Sequence, residues 1–219
     1  MEKWINEVAS TLSKPLPGRE AQFKMASMKR MEELVDKLEV PDNPRVASVM
    51  LLLYKDADTA HWRTVLIQRS QNPHDRHSGQ VSFPGGSWEA SDGSLEAVAL
   101  REAHEEVGVS PLQVKVLGRL TELYIPVSNF LVHPFVGFIH GTPQFKPQIG
   151  EVAHILTPSV SLFYEPTFQK TTDISIGSGL TIRDVPYYDV EERIVWGATA
   201  MIMSEFTAAV GGHLFDETL

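Results

Sequence analysis

The chain has 219 residues, of which 42% are hydrophobic, and a formal net charge of -9 at pH 7. This size fits one domain with a sizeable core, or a domain with a helical extension. The acidic balance argues against a nucleic-acid partner, because proteins that bind the phosphate backbone do so through clustered Lys and Arg. The absence of cysteine excludes disulfides, thiolate metal sites and a cysteine nucleophile.

The start of the chain has no pattern typical of export or membrane insertion. Met1-Glu2-Lys3-Trp4 lacks a basic segment followed by an apolar run. The longest apolar run, residues 46–54, is far shorter than the roughly 18 residues that span a bilayer. We therefore expect a soluble cytoplasmic protein with no membrane partner.

Residues 1–44 predict a helical extension. Two apolar faces recur with helical spacing: Trp4, Ile5, Val8 and Leu12, and then Met28, Met31, Val35 and Leu38. Pro15-Leu16-Pro17-Gly18 separates the two segments, and the prolines at 41 and 44 end the helical region.

The main domain is expected over residues 45–219. Apolar runs predict a buried strand at 46–53, a partner strand at 64–69, and later strands at 114–120, 131–140 and 151–156. A last helix is predicted at about 196–210, stopped by Gly211-Gly212. Strands before and after a central helix predict an α/β fold with a mixed sheet between helices.

The central helix carries the most informative pattern of the chain, Gly85-Gly86 followed by the acidic segment 101–109. Glu102, Glu105 and Glu106 fall within one narrow arc of this helix, and an apolar face is expected opposite them. Like charges at this spacing destabilise a helix by roughly 0.2 to 0.5 kcal/mol per pair. A divalent cation would supply the missing positive charge.

The ends of this helix and the turn before it can also be predicted. Ser94 is a candidate N-cap, and Gly108 is expected to close the helix in the left-handed conformation. Glycine at 85 and 86 is expected to allow a positive φ and a close approach of the backbone to an ion or phosphate. Carboxylate and carbonyl ligands suit Mg²⁺ or Mn²⁺, with Gly86 as the carbonyl donor.

Residues 85–109 resemble the Nudix box, the signature of Nudix hydrolases. Its pattern is a Gly, a Glu six residues on, and then Arg-Glu-aliphatic-x-Glu-Glu-x-Gly-aliphatic, and residues 101–109 match this second half. Counting back from Arg101 puts Ser87 at the Gly position and Gly93 at the first Glu position. The chain therefore carries one extra residue in the loop, where the nearest acids are Asp92 and Glu89.

A loop that is one residue longer and carries an Asp resembles the corresponding loop in the coenzyme A pyrophosphatase branch of that family. Residues 65–70 and 76–82, which lead into Phe83-Pro84-Gly85-Gly86, resemble the additional signature of this branch. An alignment from Gly79 puts Asp75 at the expected Arg, with Arg76 beside it. Arg69, Arg76 and Gly85 are the candidates for substrate binding.

The resemblance implies a metal-dependent hydrolase with the α/β Nudix fold. It implies cleavage of the diphosphate of coenzyme A or acyl-CoA to 3′,5′-ADP and 4′-phosphopantetheine or its acyl form. It also implies Glu105 and Glu106 as metal ligands, Glu102 as ligand or general base, and Arg101 as the group that orients the glutamates. Some family members take the base or another ligand from a later loop, for which Glu151 is the first candidate here and Glu122 the second.

Two alternatives stay open at this point. One is a Nudix pyrophosphatase for another nucleoside diphosphate-linked substrate, such as a nucleotide sugar or a dinucleotide. The other is a non-catalytic Nudix-fold nucleotide sensor, although such proteins tend to lose the glutamates that this chain retains. The resemblance further suggests a homodimer, with the N-terminal helices as a candidate interface.

Overall fold

The computed structural model describes residues 2–28, 40–72, 77–176 and 179–215. Helices α1 (Glu2–Leu12) and α2 (Gly18–Gln22) begin the chain, followed by a 3-10 turn at Phe23–Met25. The second predicted helical face lies outside the described residues from Met31 onward. None of the helices in the described ranges is long and apolar enough to cross a bilayer.

The rest of the described chain contains twelve strands and two longer helices. The strands are β1 (Arg45–Lys55), β2 (Trp62–Thr64), β3 (Leu66–Arg69), β4 (Val81–Ser82), β5 (Gly85–Ser87), β6 (Val114–Arg119), β7 (Leu123–Ile125), β8 (Phe130–Ile139), β9 (Val152–Leu156), β10 (Gln169–Ile176), β11 (Leu180–Val190) and β12 (Arg193–Trp196). The helices are α3 (Leu95–Val107) and α4 (Gly197–Val210). The predicted last helix is thus confirmed, and Gly211 ends it with a φ of 70°.

The largest sheet has the strand order β2-β1-β8-β6, with β5 also paired to β1 and β7 also paired to β8. Strands β1 and β8 are parallel, whereas the other pairs in this sheet are antiparallel. The predicted mixed sheet is therefore confirmed.

The prediction that residues 64–69 form one partner strand of β1 is wrong. Within residues 62–69, only β2, up to Thr64, pairs with β1, whereas β3 lies between β4 and β9 in a second sheet. Val65, which joins the two strands, is fully buried. The chain therefore crosses from one sheet to the other through the core, and the apolar run continues without a turn.

The two faces of β1 pack against different helices. Leu51 and Leu53 belong to the larger apolar cluster, which includes residues of α1 and α4. Met50 and Leu52 belong to a second cluster, which includes residues of α3. A strand buried on both faces has an almost continuous apolar sequence. The sheet lies between helices, as predicted.

The N-terminal helix is part of the larger core. Ile5, Val8 and Leu12 of its predicted apolar face are all buried. Trp4 stacks on Trp62 with ring centroids 3.7 Å apart, and its indole N–H donates to the backbone carbonyl of Leu214 at 2.7 Å. The division at residue 44 and a homodimer through the N-terminal helices stay predictions.

A buried carboxyl group on α4 connects α2 with the loop after β6. Glu205 is fully buried and accepts a hydrogen bond from the side-chain amide of Gln22 at 2.8 Å. It also accepts hydrogen bonds from the backbone N–H of Thr121, at 3.2 and 3.3 Å from its two oxygens. These contacts fix three separate parts of the chain to one side chain.

We expect Glu205→Ala to lower the free energy of unfolding by about 3 kcal/mol, because it leaves the buried Gln22 amide and the Thr121 N–H without this acceptor. Urea denaturation measures this change. The matched control is Glu20→Ala on the exposed surface of α2, with an expected change within about 0.5 kcal/mol. Equal effects of the two substitutions would contradict the assignment of Glu205 as a structural acceptor.

Candidate active site

Helix α3 begins and ends where the sequence predicts. The Ser94 hydroxyl oxygen accepts a hydrogen bond from the backbone N–H of Ala97 at 3.1 Å, which satisfies one of the free donors of the first turn. Gly108 follows the last turn with a φ of 76° in the left-handed region. Both caps fix the length of the helix, and hence where its carboxylates lie.

Strand β5 brings the glycine pair against both β1 and α3. Gly85 lies opposite Val49 and Gly86 opposite Ser48 in an antiparallel pairing. The φ angles of the two glycines are not positive, so that part of the expectation is wrong. Glycine is required here for space. A Cβ atom at 85 would overlap the Ser48 backbone, and one at 86 would overlap the Glu102 carboxylate.

The three glutamates of α3 differ strongly in burial. The side-chain exposure rises from 3% at Glu106 to 13% at Glu102 and 49% at Glu105. The expected separation of an acidic face from a buried face is therefore wrong for Glu106. This residue lies at the edge of the apolar arc, next to the buried Val107, and its carboxylate points into the protein towards β5.

Glu106 has two neighbouring groups that favour its ionised form. Its Oε2 accepts a hydrogen bond from the backbone N–H of Gly85 at 2.8 Å, and its Oε1 lies 3.8 Å from a guanidinium nitrogen of Arg69. Burial nevertheless raises the pKa of Glu106 to about 8, and the negative charges of Glu102 and Glu151 add to this rise. The positive charge near this deepest carboxylate is thus too small to offset its burial.

At Glu102, too, burial outweighs the neighbouring groups that favour the charged form. Burial raises the pKa of Glu102, Arg101 opposes the rise, and Glu105 and Glu151 contribute to it. Glu151 is therefore electrostatically coupled to both buried carboxylates. It immediately precedes β9, and its backbone carbonyl accepts from the N–H of Ser70 at 2.8 Å, directly after β3.

Arg101 binds two of the glutamates at once. Its Nη1 donates to Glu102 at 2.9 Å and to Glu105 at 3.1 Å, and its Nη2 donates to the Ser87 carbonyl at 3.1 Å. Asp92 accepts from Nε at 3.0 Å and from Nη2 at 3.1 Å. The guanidinium is thus held between the longer loop and the acidic helix.

The role of Asp92 was not predicted from the sequence, where it stood out only as an acid near the expected Glu. Asp92 is buried, and its Oδ2 also accepts a hydrogen bond from the backbone N–H of Glu89 at 2.9 Å. The Arg101 guanidinium lowers the pKa of the Asp92 carboxyl group. The sequence feature that could have indicated this contact is an Asp nine residues before an Arg, in a loop one residue longer than the pattern.

The structure therefore brings together most of the residues singled out from the sequence. They are Arg69, Gly85, Gly86, Arg101, Glu102, Glu105, Glu106 and, through its charge, Glu151. Arg76 lies outside the described residues. Over the described ranges, no three His, Cys, Asp or Glu side chains already converge as metal ligands, and Arg101 holds two of the glutamates.

The donor set nevertheless fits a divalent cation. It consists of oxygen atoms only, as hard cations such as Mg²⁺ and Mn²⁺ require. The Glu102 carboxylate occupies the space that a side chain at Gly86 would fill. The raised pKa values of Glu102 and Glu106 indicate that this pair of carboxylates is short of positive charge.

The oxygen ligands of the acidic helix suit a divalent cation, and such ions assist the hydrolysis of phosphoanhydrides. The family model described as "NUDIX domain" matches residues 44–157. The chain belongs to the Nudix family. The predicted Nudix fold and the predicted class, a pyrophosphatase, are thereby confirmed.

Two curated relatives show how far the similarity extends. The "Uncharacterized Nudix hydrolase NudL" of Pectobacterium atrosepticum is 35% identical over 147 residues, which cover 67% of this chain and 75% of that protein. The "Peroxisomal coenzyme A diphosphatase ndx-8" of Caenorhabditis elegans is 36% identical over 146 residues, covering 66% of this chain and 61% of that protein.

Among solved structures, a MutT/nudix family protein from Enterococcus faecalis is 18% identical to this chain, with a TM-score of 0.46. The match covers 87% of this chain and 73% of that chain.

The two glycines of β5 should respond differently to alanine. Gly86→Ala is expected to displace the Glu102 side chain, which can move, and to lower diphosphate turnover about 100-fold with little loss of stability. Gly85→Ala meets the backbone of β1, which cannot move easily, and should cost about 3 kcal/mol of stability. Turnover assays and urea denaturation of both variants check this. The same loss of stability in both would refute the distinction.

The stability of the metal-free protein should fall as the pH rises from about 4.5 to about 8. In this window the folded state binds more protons than the unfolded state, because the pKa of Glu106 rises from 4.5 to about 8 on folding. The loss is on the order of 4 kcal/mol. Urea denaturation in chelator at pH 5 and pH 8 measures it, and Glu106→Gln should remove this part of the pH dependence. An unchanged slope in that variant would rule out Glu106 as its source.

Proposed function

We propose that the protein hydrolyses the diphosphate of coenzyme A or acyl-CoA to 3′,5′-ADP and 4′-phosphopantetheine or its acyl form. The observation that carries the proposal is the pair of carboxylates, Glu102 and Glu106, which lies against Gly85-Gly86 with raised pKa values. The choice of substrate is supported by the similarity to the C. elegans coenzyme A diphosphatase and by the segment that leads into Phe83-Pro84-Gly85-Gly86.

Nudix hydrolases generally use a divalent metal ion. We assign Glu102, Glu105, Glu106 and the Gly86 carbonyl as ligands of Mg²⁺ or Mn²⁺. A bound ion of this kind neutralises charge on the diphosphate and lowers the pKa of a coordinated water. The buried position of Glu106 supports the assignment, since a charged carboxylate at this depth needs more positive charge or donors than the Gly85 N–H and Arg69 supply.

Arg101 is a positioning residue in this proposal. Its guanidinium contacts Glu102 and Glu105, while Asp92 holds it from the opposite side through two hydrogen bonds. Glu102 thereby keeps a defined orientation against Gly86, and the half-exposed Glu105 is bound to the same guanidinium. Such preorganisation lowers the reorganisation needed when the substrate binds.

The hydrolysis itself needs a group that takes a proton from water. In the proposed step, water attacks one phosphorus, its proton passes to a carboxylate, and the bond from that phosphorus to the bridging oxygen breaks. Glu102 and Glu151 are the two candidates for the carboxylate, since both lie in the same electrostatic cluster with Glu106. Arg69, next to Glu106, and Arg76 are proposed to contact the phosphates, and the backbone at Gly85 to approach them closely.

A panel of diphosphates assayed with Mg²⁺ tests the function. Coenzyme A should be turned over in preference to ADP-ribose, a nucleotide sugar and a dinucleotide, and Glu106→Gln should lower turnover at least about 100-fold. The control Glu96→Gln alters an exposed residue in the first turn of α3 and should leave the rate unchanged.

The other outcomes identify the competing functions. If ADP-ribose, a nucleotide sugar or a dinucleotide is turned over in preference, that compound and not coenzyme A is the substrate. Tight nucleotide binding without turnover of any compound would instead indicate a sensor. A Glu106→Gln variant as active as the wild type would remove the acidic helix from the mechanism.

A further inference from the structure

An open groove of about 600 Å³ lies beside the candidate active site. Arg45, Trp88, Leu95, Phe130 and His133 contribute to its lining. Its volume lies within the range of small-molecule sites, which combine apolar and aromatic walls with a few polar groups. None of the residues that line it has been used in the proposed hydrolysis.

The groove and the carboxylates share the same strand and the same helix face. Ser87 also lines the groove, and its carbonyl accepts a hydrogen bond from Arg101. Leu95 and Glu102 are seven residues apart on α3, which puts them on one face of the helix, about 10 Å apart along its axis. A ligand with its diphosphate at Glu102 can therefore extend along α3 into the groove.

The aromatic groups of the groove suit a planar ligand. Trp88 is 41% exposed although it is a large apolar side chain. Its backbone N–H donates to the Val46 carbonyl at 2.9 Å, which fixes the residue at the end of β5. An exposed aromatic side chain on a backbone fixed in this way is suited to stacking on a nucleobase.

The groove also contains a cation that suits a phosphate. The Arg45 guanidinium carbon lies 4.1 Å from the centroid of the Phe130 ring, and the two residues are register partners in β1 and β8. Among the residues that the structure describes, no carboxylate forms an ion pair with Arg45. A guanidinium stacked on a ring keeps its N–H donors directed outward, where they can bind phosphate oxygens in pairs.

We propose that this groove binds the nucleoside end of the substrate, with Trp88 stacked on the base and Arg45 paired with a phosphate on the ribose. The inference rests on the proposed function and deepens it. Coenzyme A carries a 3′-phosphate on its ribose, whereas dephospho-coenzyme A, ADP-ribose and common dinucleotides do not. Arg45 is then the residue that selects coenzyme A.

Binding of product fragments tests the groove without any catalysis. Isothermal titration calorimetry with the full chain should give tighter binding for 3′,5′-ADP than for AMP. Arg45→Ala should lower the affinity for 3′,5′-ADP at least tenfold, to that of AMP. The affinity for AMP itself should not change. Trp88→Ala should lower the affinity for both nucleotides. Matched controls are Arg183→Ala, exposed on β11, and Phe168→Ala, 38% exposed, which should change neither affinity.

Other binding results would overturn the inference. Unchanged affinity for 3′,5′-ADP in both groove variants would exclude the groove as the nucleoside site. Loss of 4′-phosphopantetheine binding in Trp88→Ala, with 3′,5′-ADP binding intact, would assign the groove to the opposite end of the substrate.

A kinetic comparison separates this inference from the proposed function. Arg45→Ala should raise KM for coenzyme A at least tenfold, with little change in kcat, and leave KM for dephospho-coenzyme A unchanged. No turnover of either compound by the wild type would overturn the proposed function. The calorimetric result would then still show whether the groove binds the nucleoside end. Normal turnover with equal KM changes for both compounds would retain the function and reject Arg45 as the selector.

Discussion

The buried carboxylate of Glu106 is the constraint on which the rest of the site depends. A charged group at this depth needs nearby positive charge or donors, and those observed are the Gly85 N–H and the Arg69 guanidinium at 3.8 Å. They do not offset burial, and the pKa of Glu106 rises to about 8. The fold is thus locally short of positive charge, at the point where Gly85 and Gly86 of β5 present no side chains to a ligand.

Asp92 makes the position of Arg101 independent of the glutamates. Two of the guanidinium nitrogens bind Asp92, and only the third nitrogen contacts Glu102 and Glu105. The arginine therefore stays anchored even if the glutamates turn towards another cation. A tight turn holds Asp92 in place: its N–H donates to the Glu89 carbonyl at 3.0 Å, and its own carboxylate accepts from the Glu89 N–H.

The sequence was sufficient to predict those features of the structure that depend on neighbouring residues along the chain. The caps at Ser94 and Gly108 follow from side-chain and backbone preferences, and the apolar run of β1 follows from burial on both faces. The burial of Glu106 could not be predicted, because a helical arc gives the direction of a side chain but not the distance to β5. Strands β10 and β11 pair antiparallel, and this pair was missed because most residues of β10 are exposed and polar, without an apolar run.

Strand β1 connects the deep carboxylates with the groove. Its Ser48 and Val49 hold β5 close to α3, and its first residue, Arg45, lies opposite Phe130. A register shift of one residue would exchange the two faces of β1 and bring neither pairing into place. The ten matched positions between β1 and β8, most of them buried, fix that register. The same apolar packing that stabilises the sheet therefore sets the distance between the groove and the acidic helix, and hence the length of ligand that can occupy both.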